Sequence, residues 1–236
     1  MKNLTTLLLF FTSIISFSQD ITGDELLEKS IQFHDPNGNW ETFEGVLFVT
    51  METPKETPRK SSIRINLPEE YFFLKAIRDT ITTTYTVRKG VCSIAINGDE
   101  NPSAAVKKQY GLSCERANMY KNYYTYLYGL PMKLKDEGTI IHQKVEKKNF
   151  KGKAYLVLKV TYKKEVGKDT WYFYFKPNTF EMEVYQFFKE EPKNDGEYIL
   201  LSGLENINEV KIPKVRAWYY NKNNAYLGTD ILSKTE

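Results

Sequence analysis

The run Trp171-Tyr172-Phe173-Tyr174-Phe175-Lys176-Pro177-Asn178-Thr179, followed by Val184-Tyr185-Gln186-Phe187-Phe188, reads as two aromatic strands joined at a Pro-Asn turn. A strand with one wet face alternates apolar and polar residues. These two strands do not alternate, so both of their faces need cover. One face takes the neighbouring core. The other takes helices, or a ligand that fills a cavity.

Outward from this pair the period of two continues. Strands are predicted over 140–147, 154–162, 170–175, 180–188, 197–202, 215–220 and 226–232, with turns at Lys151-Gly152, Pro177-Asn178 and Asn194-Asp195-Gly196. Upstream, 46–51 reads as a strand broken over 53–58, where Pro54 and Pro58 fall. Ile63, Ile65 and Leu67 alternate with polar residues, and strands follow over 71–77, 80–87 and 91–96. Such short connections build an antiparallel meander. Two helices interrupt it, over 103–110 behind Pro102 and over 114–128, the second stopped by Gly129-Leu130-Pro131. A short helix opens the chain after Thr22 or Asp24, with Leu26, Leu27, Ile31 and Phe33 on one face. His34-Asp35-Pro36-Asn37-Gly38 ends it. The fold class is therefore mainly β: one large antiparallel sheet, an N-terminal helix and a central helical insertion.

Composition narrows the class without naming a function. The chain has 236 residues, 41% hydrophobic and 27% charged, with a formal net charge of +3. That excludes disorder, collagen and a multi-span membrane protein, and it is too balanced for a nucleic-acid binder. Aromatic residues reach 14%. Residues 1–18 read as a signal peptide: Lys2 precedes an apolar run from Leu4 to Phe17, and Ser16-Phe17-Ser18 offers small residues at the cleavage site. Residues 19–236 then form a single exported domain with no transmembrane segment, placed in the periplasm, with secretion as the alternative. In an oxidising compartment the only two cysteines, Cys92 and Cys114, are a disulfide candidate.

The sequence carries no hydrolase elbow, zincin, P-loop or dinucleotide motif, and it points to no catalytic residue, metal or cofactor. His34-Asp35 admits a catalytic reading and a helix-terminal one. His142 falls within a predicted strand and reads as structural. Glu181 and Glu183 share a strand face next to a turn, a weak basis for a carboxylate pair. Lys147, Lys148, Lys151, Lys153, Lys163 and Lys164 cluster in turns, as a solvated rim or as a contact for anionic headgroups. In the second inserted helix Tyr120, Tyr123, Tyr124 and Leu127 lie on one face. They read either as a helix packed on the sheet or as a lid over an apolar cavity with hydroxyls at its mouth.

The runs His34-Asp35-Pro36-Asn37-Gly38-Asn39-Trp40, Arg116-Ala117-Asn118-Met119-Tyr120-Lys121-Asn122-Tyr123-Tyr124 and Lys168-Asp169-Thr170-Trp171-Tyr172-Phe173 resemble an exported bacterial domain family of unknown function. That family is distantly similar to the periplasmic lipoprotein carriers LolA and LolB. The resemblance implies a sheet curved into an incomplete β-barrel, with helices over an apolar concave face that receives acyl chains. It supplies no reaction. On this reading the protein is not an enzyme. It binds a lipid, acyl chain or other hydrophobic ligand, with a lipoprotein or envelope protein as a further partner, and Tyr123, Tyr124, Leu127, Trp171, Phe173 and Phe175 line the cavity. Two alternatives stand beside it: a cell-envelope hydrolase using His34 and Asp35, and a ligand-free structural or partner-binding module.

Overall fold

The computed structural model describes residues 20–234. The signal peptide assigned to 1–18 lies outside the described residues. After α1 (Gly23–His34) come β1 (Glu44–Thr53), β2 (Glu56–Asn66), β3 (Tyr71–Arg78), β4 (Ile81–Arg88) and β5 (Val91–Ile96). The insertion carries α2 (Ala104–Tyr110) and α3 (Cys114–Tyr128). The chain continues through β6 (Thr139–Ile141), β7 (Glu146–Phe150), β8 (Lys153–Tyr162), β9 (Thr170–Phe175) and β10 (Met182–Phe188). It closes with β11 (Glu197–Ile207), β12 (Val210–Tyr220) and β13 (Tyr226–Ser233).

The strands form one antiparallel sheet in the order β5-β4-β3-β2-β1-β13-β12-β11-β10-β9-β8-β6, with β7 also on β8. The two outer strands β5 and β6 do not pair, so the sheet is an incomplete barrel. The chain leaves the sheet at one edge, β5, and rejoins it at the other, β6. The segment between them must cross the open side, which is why α2 and α3 cover the concave face. The main core lies there, formed by side chains such as Leu47, Ile63, Leu74, Phe173, Phe175, Tyr185 and Ile199 with Leu26, Leu27, Tyr124 and Leu127 from the helices. Burying a side chain of this size stabilises the fold by about 1.5–3 kcal/mol. Thr22 caps α1 in a capping box. Its hydroxyl accepts from the Glu25 N–H at 3.3 Å, while its own N–H donates to the Glu25 carboxylate at 2.8 Å.

Four sequence expectations are corrected. The predicted break over 53–58 is a tight turn at Pro54-Lys55, and β2 runs through Pro58. The pairing register shifts between Met51 and Thr53, opposite Pro58, so the ladder does without the missing proline N–H there. The strand predicted over 140–147 is two short ones, β6 and β7, parted at His142–Val145. β11 and β12 run on to a hairpin at Asn208-Glu209 that local signals did not mark. Both turn residues have positive φ, 51° and 65°, a geometry usually signalled by Asn-Gly. The strand predicted from 180 begins at Met182, because Phe180 has φ 62° and belongs to the turn.

The second face of the aromatic strands is covered by an outer layer of the sheet's own side chains rather than by helices. Tyr172 and Tyr174 pack outward with Tyr155, Val157 and Val184, and Phe150 at the β7–β8 turn folds against them. Their hydroxyls reach polar partners at the rim: Tyr172 donates to Glu191 at 2.6 Å, Tyr174 to Gln186 at 2.7 Å and Tyr155 to Glu183 at 2.9 Å. Lys148 lies over the Tyr172 ring at 4.9 Å, and Lys151 lies over Tyr198 at 4.7 Å. Part of the lysine cluster therefore roofs this outer aromatic layer.

Candidate functional site

The site is the concave face beneath α3. Ser113 caps the helix, its hydroxyl accepting from the Arg116 N–H at 3.1 Å. Cys114, the first helical residue, is bonded to Cys92 on β5, with Cα atoms 5.8 Å apart, the bridge expected from the sequence. The other end is fixed sterically. A Cβ on Gly129 would sit 2.2 Å from Trp40 Cζ2 and 2.6 Å from the Thr125 carbonyl, so only glycine lets the indole approach.

Between these ends the tyrosines reach across the whole curved sheet. Tyr120 meets Tyr85 of β4 at 5.3 Å between ring centres, and Tyr124 lies 6.3 Å from Phe72 of β3. Tyr123 stacks on Trp218 of β12 at 6.1 Å, and Tyr126 meets Trp171 of β9 at 5.7 Å. The helix therefore bears on both walls of the half-barrel.

Under it runs a row of residues that sequence reading missed. Strand register places Arg59 beside Met51, Met51 beside Asp230, and Asp230 beside Arg216, four strands in succession. Arg59 donates to the Tyr120 and Tyr124 hydroxyls at 3.3 and 3.1 Å. Arg216 has no solvent exposure. It donates to the Pro213 carbonyl at 2.7 Å and the Leu127 carbonyl at 3.4 Å, and it lies 3.8 Å over the Tyr128 ring. Asp230 accepts from the Tyr123 hydroxyl at 2.9 Å. Burial pushes its carboxyl up from the ordinary range, against the pull of that hydrogen bond and of both arginines. Burial likewise pushes the Tyr124 phenol up to about 12. The Tyr128 and Tyr185 hydroxyls and the Arg216 Nε are buried without a well-formed hydrogen bond. Each such group costs about 1–3 kcal/mol. The sequence signal was parity. Arg59, Arg216 and Asp230 occupy inward positions on strands whose other inward residues include Ile63, Trp218 and Leu232.

Clefts open on both flanks of α3. One, of about 240 Å³, is lined by Met51, Tyr123, Trp218, Leu227, Asp230 and Glu197 among others, and burial raises the Glu197 carboxyl. The other, of about 680 Å³, is lined by Tyr126, Tyr162, Trp171, Lys133, Asp136 and Asp169 among others. Of the cavity-lining residues expected from the sequence, Tyr123 faces the first cleft and Trp171 the second. Tyr124, Leu127, Phe173 and Phe175 are packed in the closed core. Trp171 stacks on Phe173 at 5.9 Å, and Tyr185 lies 6.4 Å from Phe173.

His34 and Asp35 are fully committed to the backbone. His34 is buried. Its Nδ1 donates to the Lys211 carbonyl at 2.7 Å, and its Nε2 accepts the Met182 N–H at 3.1 Å. One imidazole thus joins α1, β12 and β10. Burial holds its pKa below the ordinary value, in keeping with a neutral ring that donates and accepts once each. Asp35 accepts the Asn39 and Trp40 N–H groups, both at 2.8 Å. It thereby sets the 3-10 turn that carries Trp40 to Gly129. Both imidazole nitrogens and both carboxylate oxygens are thus engaged by backbone groups. His142 lies in the break between β6 and β7, with Nε2 at 3.0 Å from the Thr161 hydroxyl. Glu181 and Glu183 both pair with Lys176, at 2.7 and 3.1 Å. Burial would raise Glu183, but hydrogen bonds from Lys176, Tyr155 and Lys153 outweigh it and hold the carboxyl low. Among the described residues no acidic, histidine and cysteine cluster is arranged to hold a metal ion, and no helix is long and apolar enough to cross a membrane.

Residues 2–234 match the model of a family described as a family of unknown function, DUF6503. No curated protein matches the chain. Among solved structures it is similar to a LolA superfamily protein from Nitrosomonas europaea, at 11% identity and TM-score 0.53, over 91% of this chain and 92% of that one. A putative outer membrane lipoprotein-sorting protein domain from Vibrio parahaemolyticus aligns at 8% identity and TM-score 0.48, over 91% and 92%. A DUF1329 family protein from Desulfovibrio piger aligns at 8% and 0.49, over 89% and 90%. The first of these likenesses establishes a shared fold.

Proposed function

The chain belongs to the DUF6503 family, and from the geometry of its concave face we propose that it is an exported, non-enzymatic protein that holds a lipid, acyl chain or other hydrophobic ligand beneath α3. The observation that carries this reading is the underside of that helix. A face evolved only to be filled would pair its buried polar groups. Here the Tyr128 and Tyr185 hydroxyls and the Arg216 Nε stay without good partners in an otherwise aromatic layer, with an open cleft on each flank. Much of what holds the helix down is polar: Arg59 to Tyr120 and Tyr124, Tyr123 to Asp230, and Arg216 to the Leu127 carbonyl. Such bonds contribute about 0.5–3 kcal/mol each, so a ligand can replace them. An acyl chain gains about 0.8 kcal/mol per buried CH₂, and no reacting group is required.

The proposed lining is Tyr123, Trp171 and Trp218 at the clefts, with Tyr124, Leu127, Phe173 and Phe175 joining it once α3 lifts from the sheet. The LolA-like fold supports the choice of ligand class. The leader read at 1–18 and the Cys92–Cys114 bridge support export to the periplasm, where a disulfide persists. The test is native mass spectrometry of the mature protein, purified from its own cell envelope without detergent, followed by solvent extraction. A co-purifying lipid mass is expected, and Trp171→Ala should lower ligand retention more than it lowers stability. A bare protein mass, with no uptake from added lipid extract, overturns the reading.

A further inference from the structure

We propose that Arg59 is an anion-recognition residue, and that the ligand beneath α3 is an amphiphile with one negative oxyanion head, a carboxylate or a phosphodiester. This rests on the ligand class proposed above. Arg59 is half-buried, and among the described residues no carboxylate forms an ion pair with it. Among the described residues its guanidinium is held by the neutral hydroxyls of Tyr120 and Tyr124 and lies 5.6 Å over the Tyr120 ring, and its Nε has no hydrogen-bond partner. A planar guanidinium fits a carboxylate or phosphate through paired hydrogen bonds that are roughly twice as strong as neutral ones. An arriving oxyanion therefore displaces the phenols.

Access and charge agree with this. Arg59 lines a cleft of about 220 Å³ with Ala76, Ile81, Thr83 and Tyr110, with Arg78 and Asp79 at its rim. Arg78 is paired with Glu56, and its Nε is also unpartnered. Inward from the cleft the register continues through Met51 and Asp230 to Arg216. The row thus holds two guanidiniums and one carboxylate, Asp230, a net of one positive charge beneath the helix. A single negative head balances it. Met51 and Asp230 also line the cleft that holds Tyr123, Trp218 and Leu227, so the row spans from the head position to a second cleft with apolar walls for the tail.

The test compares three ligands of one chain length: palmitate, palmitoyl lysophosphatidylglycerol and uncharged methyl palmitate. Affinities are read below the critical micelle concentration from the tryptophan fluorescence of the full mature chain. Wild type should bind at least one of the two anions tenfold or more tighter than the ester, about 1.4 kcal/mol. Which anion is preferred identifies the source of the head. Arg59→Gln should bring the anion to within twofold of the ester while ester binding is kept. Tyr120→Phe, which frees one guanidinium nitrogen, should tighten the anion alone. It decides the matter should Arg59→Gln fail to fold, since an unchanged anion affinity in Tyr120→Phe then counts against the assignment. Ester and anions bound equally by wild type, or a tenfold preference kept in Arg59→Gln, overturns the anion site and leaves the hydrophobic-ligand reading standing. No binding of any of the three overturns both.

Discussion

Replacing His34 by Leu should destabilise the protein by about 2–6 kcal/mol, because two buried backbone groups lose their partner and each is worth about 1–3 kcal/mol. These are the Lys211 carbonyl, at 2.7 Å from Nδ1, and the Met182 N–H, at 3.1 Å from Nε2. The loss is large against a typical total of about 5–15 kcal/mol. Urea denaturation followed by circular dichroism measures it. The pH profile adds a second reading. Burial holds the His34 pKa in the folded state below its ordinary 6.5. The unfolded chain therefore takes the proton more readily, and the contribution of His34 is complete above pH 6.5. It falls as pH drops from there towards the lowered native value, by up to about 1.4 kcal/mol per pH unit. Asp230, whose carboxyl is raised by burial, works in the opposite sense from its ordinary value of 3.8 upward. Subtracting the His34→Leu profile from wild type cancels it. A change below about 1 kcal/mol with the acid limb unaltered would refute the reasoning. A fold left intact with a lost hydrolase activity would restore the catalytic reading of His34.

Two further outcomes follow from the ends of α3. Gly129→Ala should cost about 1–3 kcal/mol and shift tryptophan emission, since the new methyl meets the Trp40 indole and a backbone carbonyl; an unchanged urea midpoint counts against the close approach. The double substitution Cys92→Ser/Cys114→Ser opens a loop with a sequence separation of 22 and should lower stability by about 3 kcal/mol on the chain-entropy argument. Limited proteolysis should then cut within the inserted helices before the sheet, and cleavage no faster than in wild type would show that the bridge does not anchor α3.

Fold and site were legible to different depths because they depend on different ranges of information. The sheet was readable from local period, since a residue's face follows from its own strand. Trp171 to Phe175 declared two buried faces in five residues, and the structure divides them between the main core and the outer tyrosine cluster. The incomplete barrel came from resemblance, because no local pattern says that β5 and β6 stay unpaired. The Asn208-Glu209 hairpin escaped because a glutamate at φ 65° carries no turn signature, although its carboxylate holds the side chains of Asn37 and Asn39. The row under α3 was harder still. Arg59, Arg216 and Asp230 each break the apolar parity of one strand, which taken singly looks like a surface charge. Only the pairing of β2 with β1, of β1 with β13 and of β13 with β12 sets them in line, and that register is non-local. The tyrosine stripe of α3 was read as either core or lid, and both descriptions hold in part. Tyr124 is core, Tyr123 faces a cleft, and Tyr120 holds an arginine that forms no ion pair among the described residues. A helix whose inner face is tyrosine rather than leucine can release the sheet at the cost of exposing hydroxyls that water accepts, and that physical property is what the proposed binding role requires.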